Sequence, residues 1–242
     1  MSKTLTSAAR REKEKQATRE KIVAAATRVL LREGVDGFSM RKLAAQIGYT
    51  PTAVYFHFPD KQALLGEVVD RQFMVFRQSF ERIAQTADPL ERLARMGQAF
   101  IEFALAHPDH YRFMFLCQLD QIPRGTLIEK GNPSQDCYAL LLATVREAME
   151  AGRFRADLND PQMVAQVYFA GVHGLMALHL IKGQDNWVQW TPLEAKARLM
   201  IDALLDGLSS ASTGRLPSAS NSGRAPKPKR GRVSKPPRES RP

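Results

Sequence analysis

The segment that decides the fold is "SMRKLAAQIGYTPTAVYFHFPDKQALL", residues 39 to 65. Apolar residues at helical spacing end at Ile47, and Gly48 can take the left-handed conformation that ends a helix. A second helix then begins at Thr50-Pro51, where a capping side chain precedes a proline in the first helical position. Two short helices joined by a tight turn that contains glycine predict a helix-turn-helix, whose second helix enters the DNA major groove.

The second helix carries more aromatic residues than so short a segment can bury, namely Tyr55, Phe56, His57 and Phe58. Val54 and Phe58 are four residues apart, so they can pack inward together. Tyr55 and His57 are left for the outside, where a phenol and an imidazole can donate hydrogen bonds to phosphates. This distribution indicates that part of the aromatic run faces DNA.

The other predicted DNA contacts follow from residue size and reach. Pro51, Thr52 and Ala53 are small enough to bring the helix close to base edges, where a methyl group can meet a thymine methyl. Thr50, with the N–H groups of the helix N-terminus, can hold a phosphate, and Arg41 can reach guanine. Ser39, which can cap the first short helix, completes the set. The residues predicted at this surface are Ser39, Arg41, Thr50, Pro51, Thr52, Ala53, Tyr55 and His57.

Residues 16 to 65 resemble the DNA-binding domain of the TetR family, the tetracycline-repressor-like regulators of bacterial transcription. The Tyr55-x-His57-Phe58-x-x-Lys61 run agrees with the family pattern. The resemblance implies that Tyr55 and Lys61 hold phosphates while Arg41, Pro51, Thr52 and Ala53 face bases. Ala53 replaces a residue that is commonly glycine or polar, which leaves base preference open. A homodimer on a palindromic operator, released by a small apolar or amphipathic effector, is implied as well.

Helical patterns continue along the chain and predict an all-α fold. Apolar spacing predicts helices over about 16–33 and 60–85. Later helices should begin near residues 89, 133, 161 and 192, because a capping residue and a proline recur there. The predicted domains are a flexible basic arm (1–15), the helix-turn-helix domain (16–65), a helical ligand-binding and dimerisation domain (66–208) and a disordered basic tail (209–242).

The net charge of +10 is divided unevenly along the chain. Residues 1–60 carry 11 Lys and Arg against 6 Asp and Glu, residues 61–208 carry 15 against 18, and residues 209–242 carry 9 against 1. Basic ends favour a polyanionic partner. In the tail, "KPKRGRVSKP" resembles an AT-hook, a minor-groove binder whose contacts would be Lys229, Arg230, Gly231 and Arg232. Nonspecific phosphate contact and a solubilising appendage remain alternatives.

The predicted ligand-binding domain is rich in Phe and Met. "HPDHYRFMFL" (107–116) and "GVHGLMALHL" (171–180) resemble a TetR subgroup with a Trp-His-Gly motif, in which Val172 stands where Trp is expected. An apolar pocket with few polar groups is predicted. Its candidate residues are Phe76, Phe100, Phe103, Tyr111, Met114, Gln118, Tyr138, Tyr168 and His173.

A helix face made of small side chains predicts where two subunits meet. Ala170, Gly174 and Ala177 are spaced so that one side of the helix from 161 to 182 lets another helix approach closely. Leu204, on the last helix, would supply bulk to a four-helix bundle across a twofold axis.

Other classes of protein are less well supported. Residues 163–181 lack formal charge and approach the length of a membrane span, but Gln166, His173 and His179 within them favour a buried helix over one in a membrane. His107 and His110 lack the companions of a metal site, and no phosphate-binding glycine loop occurs, so neither an enzyme nor a cofactor or metal is predicted. With two cysteines and no signal peptide, a cytoplasmic location is expected. A helical carrier of hydrophobic ligands that binds nucleic acid only nonspecifically is the alternative function.

Overall fold

The computed structural model describes residues 7–117, 119, 122–123, 127–183 and 185–210. The all-α prediction is confirmed. The helices are α1 (Ser7–Glu33), α2 (Met40–Gln46), α3 (Pro51–His57), α4 (Lys61–Gln78), α5 (Pro89–Ala106), α6 (Pro108–Tyr111), α7 (Cys137–Glu150), α8 (Pro161–Lys182) and α9 (Leu193–Leu208).

The predicted helix-turn-helix is formed by α2 and α3. Gly48 adopts φ +71°, the left-handed conformation that lets the chain turn between the two helices. The Thr50 hydroxyl accepts a hydrogen bond from the N–H of Ala53 at 3.2 Å, which caps α3. Val54 and Phe58 are buried. The inward packing that the sequence predicts for these two side chains is therefore present.

Two predicted helix boundaries are wrong. Helix α1 begins at Ser7 instead of residue 16, because straight-chain charged residues extend it and make i,i+4 pairs such as Arg10 with Glu14. The part of the predicted flexible arm from residue 7 onward is thus helical. Helix α4 ends at Gln78 instead of near 85, and a short 3₁₀ turn follows at Ile83–Gln85.

The seventh helix begins later than the sequence predicts. Asn132 caps only a turn, since its side chain accepts from the N–H of Ser134. The helix starts at Cys137, where Asp136 accepts from the N–H groups of Tyr138 and Ala139. A carboxylate that receives two backbone donors is the better cap, so it overrides the Asn-Pro signal.

Two predicted helix caps and the predicted start of the tail also differ from the structure. Ser39 precedes α2 but its side chain makes no capping hydrogen bond. The residue before α9 is Pro192, which lacks a side-chain donor or acceptor, so Thr191 does not serve as the cap. The predicted start of the tail at residue 209 is two residues too early, because Ser209 pairs with Phe154 and the N–H of Ser210 donates to the carbonyl of Arg153. The predicted AT-hook lies outside the described residues.

The second half of the chain is built around α5, which packs against α7, α8 and α9. Its residues Leu93, Met96, Phe100 and Ala104 belong to a core that continues into α4. Helix α4 itself is continuous from Lys61 to Gln78, so the predicted domain boundary at residue 65 falls inside one helix. This helix therefore belongs to both halves of the protein.

Helix α8 is packed on one side only, which corrects the prediction of a buried helix. Tyr168, Val172 and Met176 are buried, whereas Met163 and Val167 are about half exposed. It has the length and composition of a membrane span, although soluble helices pass the same test. Gly171 faces α9 at close range, because a β-carbon there would lie 2.7 Å from a methyl group of Leu204. Leu204 thus packs within the chain, between α8 and α9.

Candidate functional site

The outer face of the helix-turn-helix carries most of the predicted DNA contacts. On α3, Pro51, Thr52 and Tyr55 are exposed, and on α2, Arg41 and its neighbour Lys42 are exposed. Thr50 is exposed at the start of α3. Ala53 is half-buried, and so is Ser39. Small exposed groups near two exposed cations match the chemistry of major-groove reading, and the base and phosphate assignments stay predictions.

Phe56 is a surface residue that the sequence reasoning left without a role. It is 73% exposed on α3, and the ammonium group of Lys15 lies 5.8 Å from its ring centroid. An aromatic ring and a cation from α1 thus extend the outer face of α3 toward α1. The aromatic run itself could have indicated that Phe56 is exposed, because at most two of its four rings could be buried.

His57 and Lys61 occupy positions that differ from simple phosphate contacts. His57 is half-buried, and desolvation, followed by the charges of Arg19 and Lys15, lowers the pKa of its imidazole. The ammonium group of Lys61 donates to the backbone carbonyls of Val35 at 3.2 Å and Phe38 at 3.1 Å. Two of its three N–H donors are therefore used inside the protein, where they tie the loop after α1 to the start of α4. The phosphate contact that the family resemblance implies for Lys61 stays a prediction, for which one N–H donor is left.

A cluster of charged side chains joins α1, α3 and α4. Arg19 donates to the carbonyl of His57 at 3.0 Å and to the carboxylate of Glu67, while its guanidinium lies 4.1 Å from the ring centroid of Phe58. Glu67 is 3% exposed and also accepts from Arg71, which in turn binds Glu20. A buried carboxylate held by two guanidinium groups fixes the first half of α4 to the DNA-binding helices. The pair Glu67 and Arg71 lies at i,i+4 on one helix, but nothing in the sequence indicated the other two ion pairs, since about 50 residues separate Arg19 from Glu67 and Glu20 from Arg71.

The second half of the chain contains an apolar cavity of about 350 Å³. Four helices and the π-helical turn Arg112–Leu116 contribute to its wall, and the turn directs two successive residues, Met114 and Phe115, into it. Such turns are common at functional sites. The lining residues are Phe73, Phe76, Phe80, Met96, Gly97, Phe100, Met114, Phe115, Cys137, Tyr138, Leu141, Tyr168, Phe169, Val172 and His173.

Six of the predicted pocket residues line this cavity, two do not, and one lies outside the described residues. Those present are Phe76, Phe100, Met114, Tyr138, Tyr168 and His173. Phe103 lies behind the wall against Phe76, at 4.8 Å between ring centroids. Tyr111 is fully buried behind His173, and Gln118 lies outside the described residues. Phe73, Phe115 and Phe169 were missed, although the four-residue spacing of Phe169 and His173 places both on one helix face.

The cavity has few polar groups, and some of them already form hydrogen bonds within the chain. The Tyr168 hydroxyl donates to the carbonyl of Leu93 at 2.6 Å. The same hydroxyl lies close to Gly97, where a β-carbon would be only 2.5 Å from the hydroxyl oxygen. The Tyr138 hydroxyl accepts from the side-chain amide of Gln162 at 2.8 Å. Tyr138 and His173 are left as groups that can hydrogen bond to a molecule in the cavity. An apolar cavity with a few convergent polar groups has the composition of a small-molecule site.

A second, more polar cavity of about 450 Å³ lies beside the first. The two share Phe73, Cys137 and Tyr138, while Asp70 and Lys130 occur only in the second. The carboxylate of Asp70 accepts from the N–H of Leu127 at 2.9 Å. Polar and charged residues thus adjoin one side of the apolar cavity.

Helix α8 presents an apolar stripe to the outside. Ala170 and Gly174 are exposed, Ala177 is half-buried, and Gly174 has open space where a β-carbon would point. Larger side chains continue the same stripe, and on α9 Leu199 is 69% exposed. The exposed members on α8 are Met163, Val167, Ala170, Gly174, Leu178 and Ile181.

A helix-turn-helix followed by a helical domain with an apolar cavity defines the class of DNA-binding regulators that contain a ligand-binding domain. Residues 22–68 match the family described as bacterial regulatory proteins, tetR family, and residues 93–204 match the tetracyclin repressor-like C-terminal domain. The chain belongs to the TetR family.

Several relatives agree with this assignment. The chain is 37% identical over 180 residues to the HTH-type transcriptional repressor BepR of Brucella suis, a match that covers 69% of this chain and 84% of BepR. It is 36% identical over 204 residues to the HTH-type transcriptional regulator AcrR of Shigella flexneri, covering 81% and 91% of the two chains. A Rhodococcus sp. RHA1 protein of unknown function has a similar structure, with 28% identity, a TM-score of 0.63 and coverage of 79% and 95%.

The predicted class of function is confirmed by this membership. The chain is a DNA-binding transcriptional regulator and not an enzyme, because TetR-family regulators are non-enzymatic transcription factors. The family membership and the repressors among the relatives support ligand-responsive repression over the alternative of a carrier. Family members are soluble proteins that bind DNA operators and small-molecule effectors, usually as dimers.

Proposed function

We propose that this protein is a cytoplasmic, homodimeric repressor that binds a palindromic operator through α2 and α3 and is released by a small apolar or amphipathic effector held in the cavity of about 350 Å³. The operator contacts are the exposed residues of α2 and α3 described above. The relative BepR is a transcriptional repressor, which supports repression over activation.

One observation carries the proposal, namely that α4 contacts both sites. At its start, Lys61 and Glu67 hold the loop after α1 and the Arg19 side chain beside α3. About two turns further on, Phe73 and Phe76 form part of the cavity wall. A molecule that displaces these rings therefore acts on the same rigid helix that positions the DNA-binding surface. An effector shifts the equilibrium only if it binds the released arrangement more tightly, and the wall residues of α4 supply that difference.

The apolar stripe on α8 supplies the dimer contact of the proposal. It is exposed in one chain, and Gly174 leaves room for a partner helix to approach closely. A twofold axis would pair the stripe, together with the exposed side of α9, with the same surfaces of a second copy. A partner that covers this stripe also explains why α8 is apolar enough to cross a membrane although only 28% of its most apolar 18-residue segment is buried within the chain. A dimer places two α3 helices on successive half-sites.

The deciding experiment has two stages. A genome-wide map of bound DNA identifies the operator, and titration of purified protein against that operator and a shuffled sequence of equal length measures specificity. We expect the operator to bind at least about 1,000-fold more tightly than the shuffled DNA at fixed salt. Equal binding to both would favour the hydrophobic carrier. Small aromatic compounds are then screened for release of the operator, with Phe76→Ala as the variant that alters the cavity wall.

A further inference from the structure

Behind the cavity, Tyr111 holds the imidazole of His173. Tyr111 is fully buried, and its hydroxyl oxygen lies 2.9 Å from Nδ1 of His173 and 3.2 Å from the backbone carbonyl oxygen of the same residue. Desolvation raises the pKa of the phenol, so the hydroxyl keeps its proton. One hydroxyl thus faces two atoms of one histidine.

The number of protons decides which tautomer this arrangement favours. A carbonyl oxygen only accepts, so the contact at 3.2 Å is a hydrogen bond only if the Tyr111 hydroxyl donates to it. The hydroxyl oxygen then has to accept from Nδ1, which must carry the imidazole proton. The opposite assignment would place two oxygen lone pairs against each other without a hydrogen between them. The arrangement with two hydrogen bonds leaves Nε2 of His173 without a proton.

The remaining nitrogen of His173 is available to the cavity. His173 lines the cavity, and within the part of the chain that the structure describes Nε2 has no hydrogen-bond partner. Phe169 stacks on the imidazole at 5.4 Å between centroids, and Phe115 lies at 6.0 Å. Burial lowers the pKa of His173, which keeps the ring neutral near neutral pH. A neutral acceptor therefore stands among aromatic rings.

The other residues of the cavity wall define the rest of the ligand. None of the described residues that line the main cavity carries a formal charge, and six of them are phenylalanines. A charged ligand would lose its hydration there without compensation, so a neutral molecule is favoured. The Tyr138 hydroxyl, which accepts from Gln162, can still donate its own proton to a ligand oxygen.

We propose that Nε2 of His173 is the hydrogen-bond acceptor that selects the effector, and that the effector is a neutral aromatic molecule with a hydroxyl or N–H donor. Tyr111 is the positioning residue, because it holds His173 in the tautomer that leaves Nε2 without a proton. The inference rests on the proposed effector cavity and adds to it the chemical class of the ligand.

The test uses two probes, 2-naphthol and its methyl ether 2-methoxynaphthalene, in which a methyl group replaces the hydroxyl proton and so removes the hydrogen-bond donor. Isothermal titration of the full-length protein should show that 2-naphthol binds about three- to tenfold more tightly, the ratio that one net hydrogen bond provides. Tyr111→Phe should bring the ratio toward one, because the freed imidazole can move its proton to Nε2 and donate to the ether. Tyr49→Phe, a tyrosine outside the cavity, is the matched control and should keep the wild-type ratio.

The outcomes separate this inference from the function on which it rests. If both probes bind the wild-type protein equally, the cavity stands and the acceptor role of His173 is wrong. If the affinity ratio of the two probes is kept in Tyr111→Phe but lost in Tyr138→Phe, Tyr138 selects the ligand and the acceptor role of His173 is also wrong. If neither probe binds, the apolar effector cavity of the proposed function itself fails. Loss of the ratio in Tyr111→Phe with retained binding of both probes supports the inference.

Discussion

The guanidinium group of Arg19 binds the buried carboxylate of Glu67, and this contact joins α1 to the helix that reaches the cavity. Arg71 binds the same carboxylate from one turn further along α4, at 2.6 Å. The two arginines retain about a third of their side-chain exposure, whereas Glu67 has almost none. The carboxylate is therefore the member of the cluster whose loss leaves the other charges least compensated.

Glu67→Ala should lower the free energy of unfolding by about 1–3 kcal/mol, because it leaves two partly buried guanidinium groups without their shared hydrogen-bond acceptor. Urea unfolding at fixed protein concentration measures the loss. Glu14→Ala, which removes an exposed partner of Arg10, is the control and should change stability by less than about 0.5 kcal/mol. Equal effects of the two substitutions would show that the cluster has no special role.

Arg41→Ala should weaken operator binding by about 1–3 kcal/mol and relax the preference at one operator position, since Arg41 is exposed and long enough to reach a guanine. Binding of a set of operators with single base changes measures both effects. An equal loss on operator and random DNA would contradict base reading and assign Arg41 to a phosphate.

Lys61→Met should lower stability by about 1–3 kcal/mol, because the carbonyls of Val35 and Phe38 lose a charged donor. The salt dependence of DNA binding should stay unchanged, since most of the donors of Lys61 are engaged inside the protein. Unfolding and salt titrations of the same sample give the two quantities. A salt slope reduced by about one per subunit at unchanged stability would instead restore the phosphate contact.

Gly174→Leu should leave the single chain folded but yield monomers with weak operator affinity. A side chain at this position meets open space within the chain, so only a partner helix is obstructed. Gly171→Ala provides the contrast, because its β-carbon would collide with Leu204 and should lower the melting temperature. Light scattering and thermal unfolding distinguish the two effects. An intact Gly174→Leu dimer would place the interface elsewhere.

Stability should fall as the pH is lowered below about 6.5, the ordinary pKa of histidine. Burial lowers the pKa of His110 in the folded protein, and neighbouring His107 lowers it further while Asp109 acts in the opposite direction. Between the lowered pKa and 6.5 the unfolded chain binds more protons than the folded one, so lower pH favours unfolding. His110→Gln should lose less stability than the wild type between pH 7.5 and 5.5 in urea titrations. An identical loss would exclude His110 as a contributor.

Removing residues 211–242 should leave the dimer and the operator preference unchanged but reduce affinity at low salt. This segment carries nine Lys and Arg against one Glu, and such residues release counterions from DNA at about 0.9 per phosphate neutralised. Titrating both proteins against operators with A·T or G·C flanks over a range of salt measures the effect. A larger loss with A·T flanks is expected of an AT-hook, and identical salt slopes would leave only a solubilising role.

The features that the sequence alone determined are local ones. The turn at Gly48, the cap at Thr50 and the inward pair Val54 and Phe58 depend on residues within four positions of one another, so periodicity and capping rules were sufficient. The all-α class and the helix-turn-helix followed from them. Caps were predicted wrongly where two signals competed, as when Asp136 displaced Asn132, because the sequence does not rank them.

Tertiary structure alone decided which side chains meet across long separations. Lys61 turned inward to two carbonyls, Arg19 met Glu67, and Tyr111 came to lie behind His173 instead of in the cavity. The partners in these contacts are 23 to 62 residues apart. Their proximity depends on how whole helices pack, which no local rule specifies. Composition indicated an apolar pocket, but the packing of α4, α5, α7 and α8 determined which rings line it.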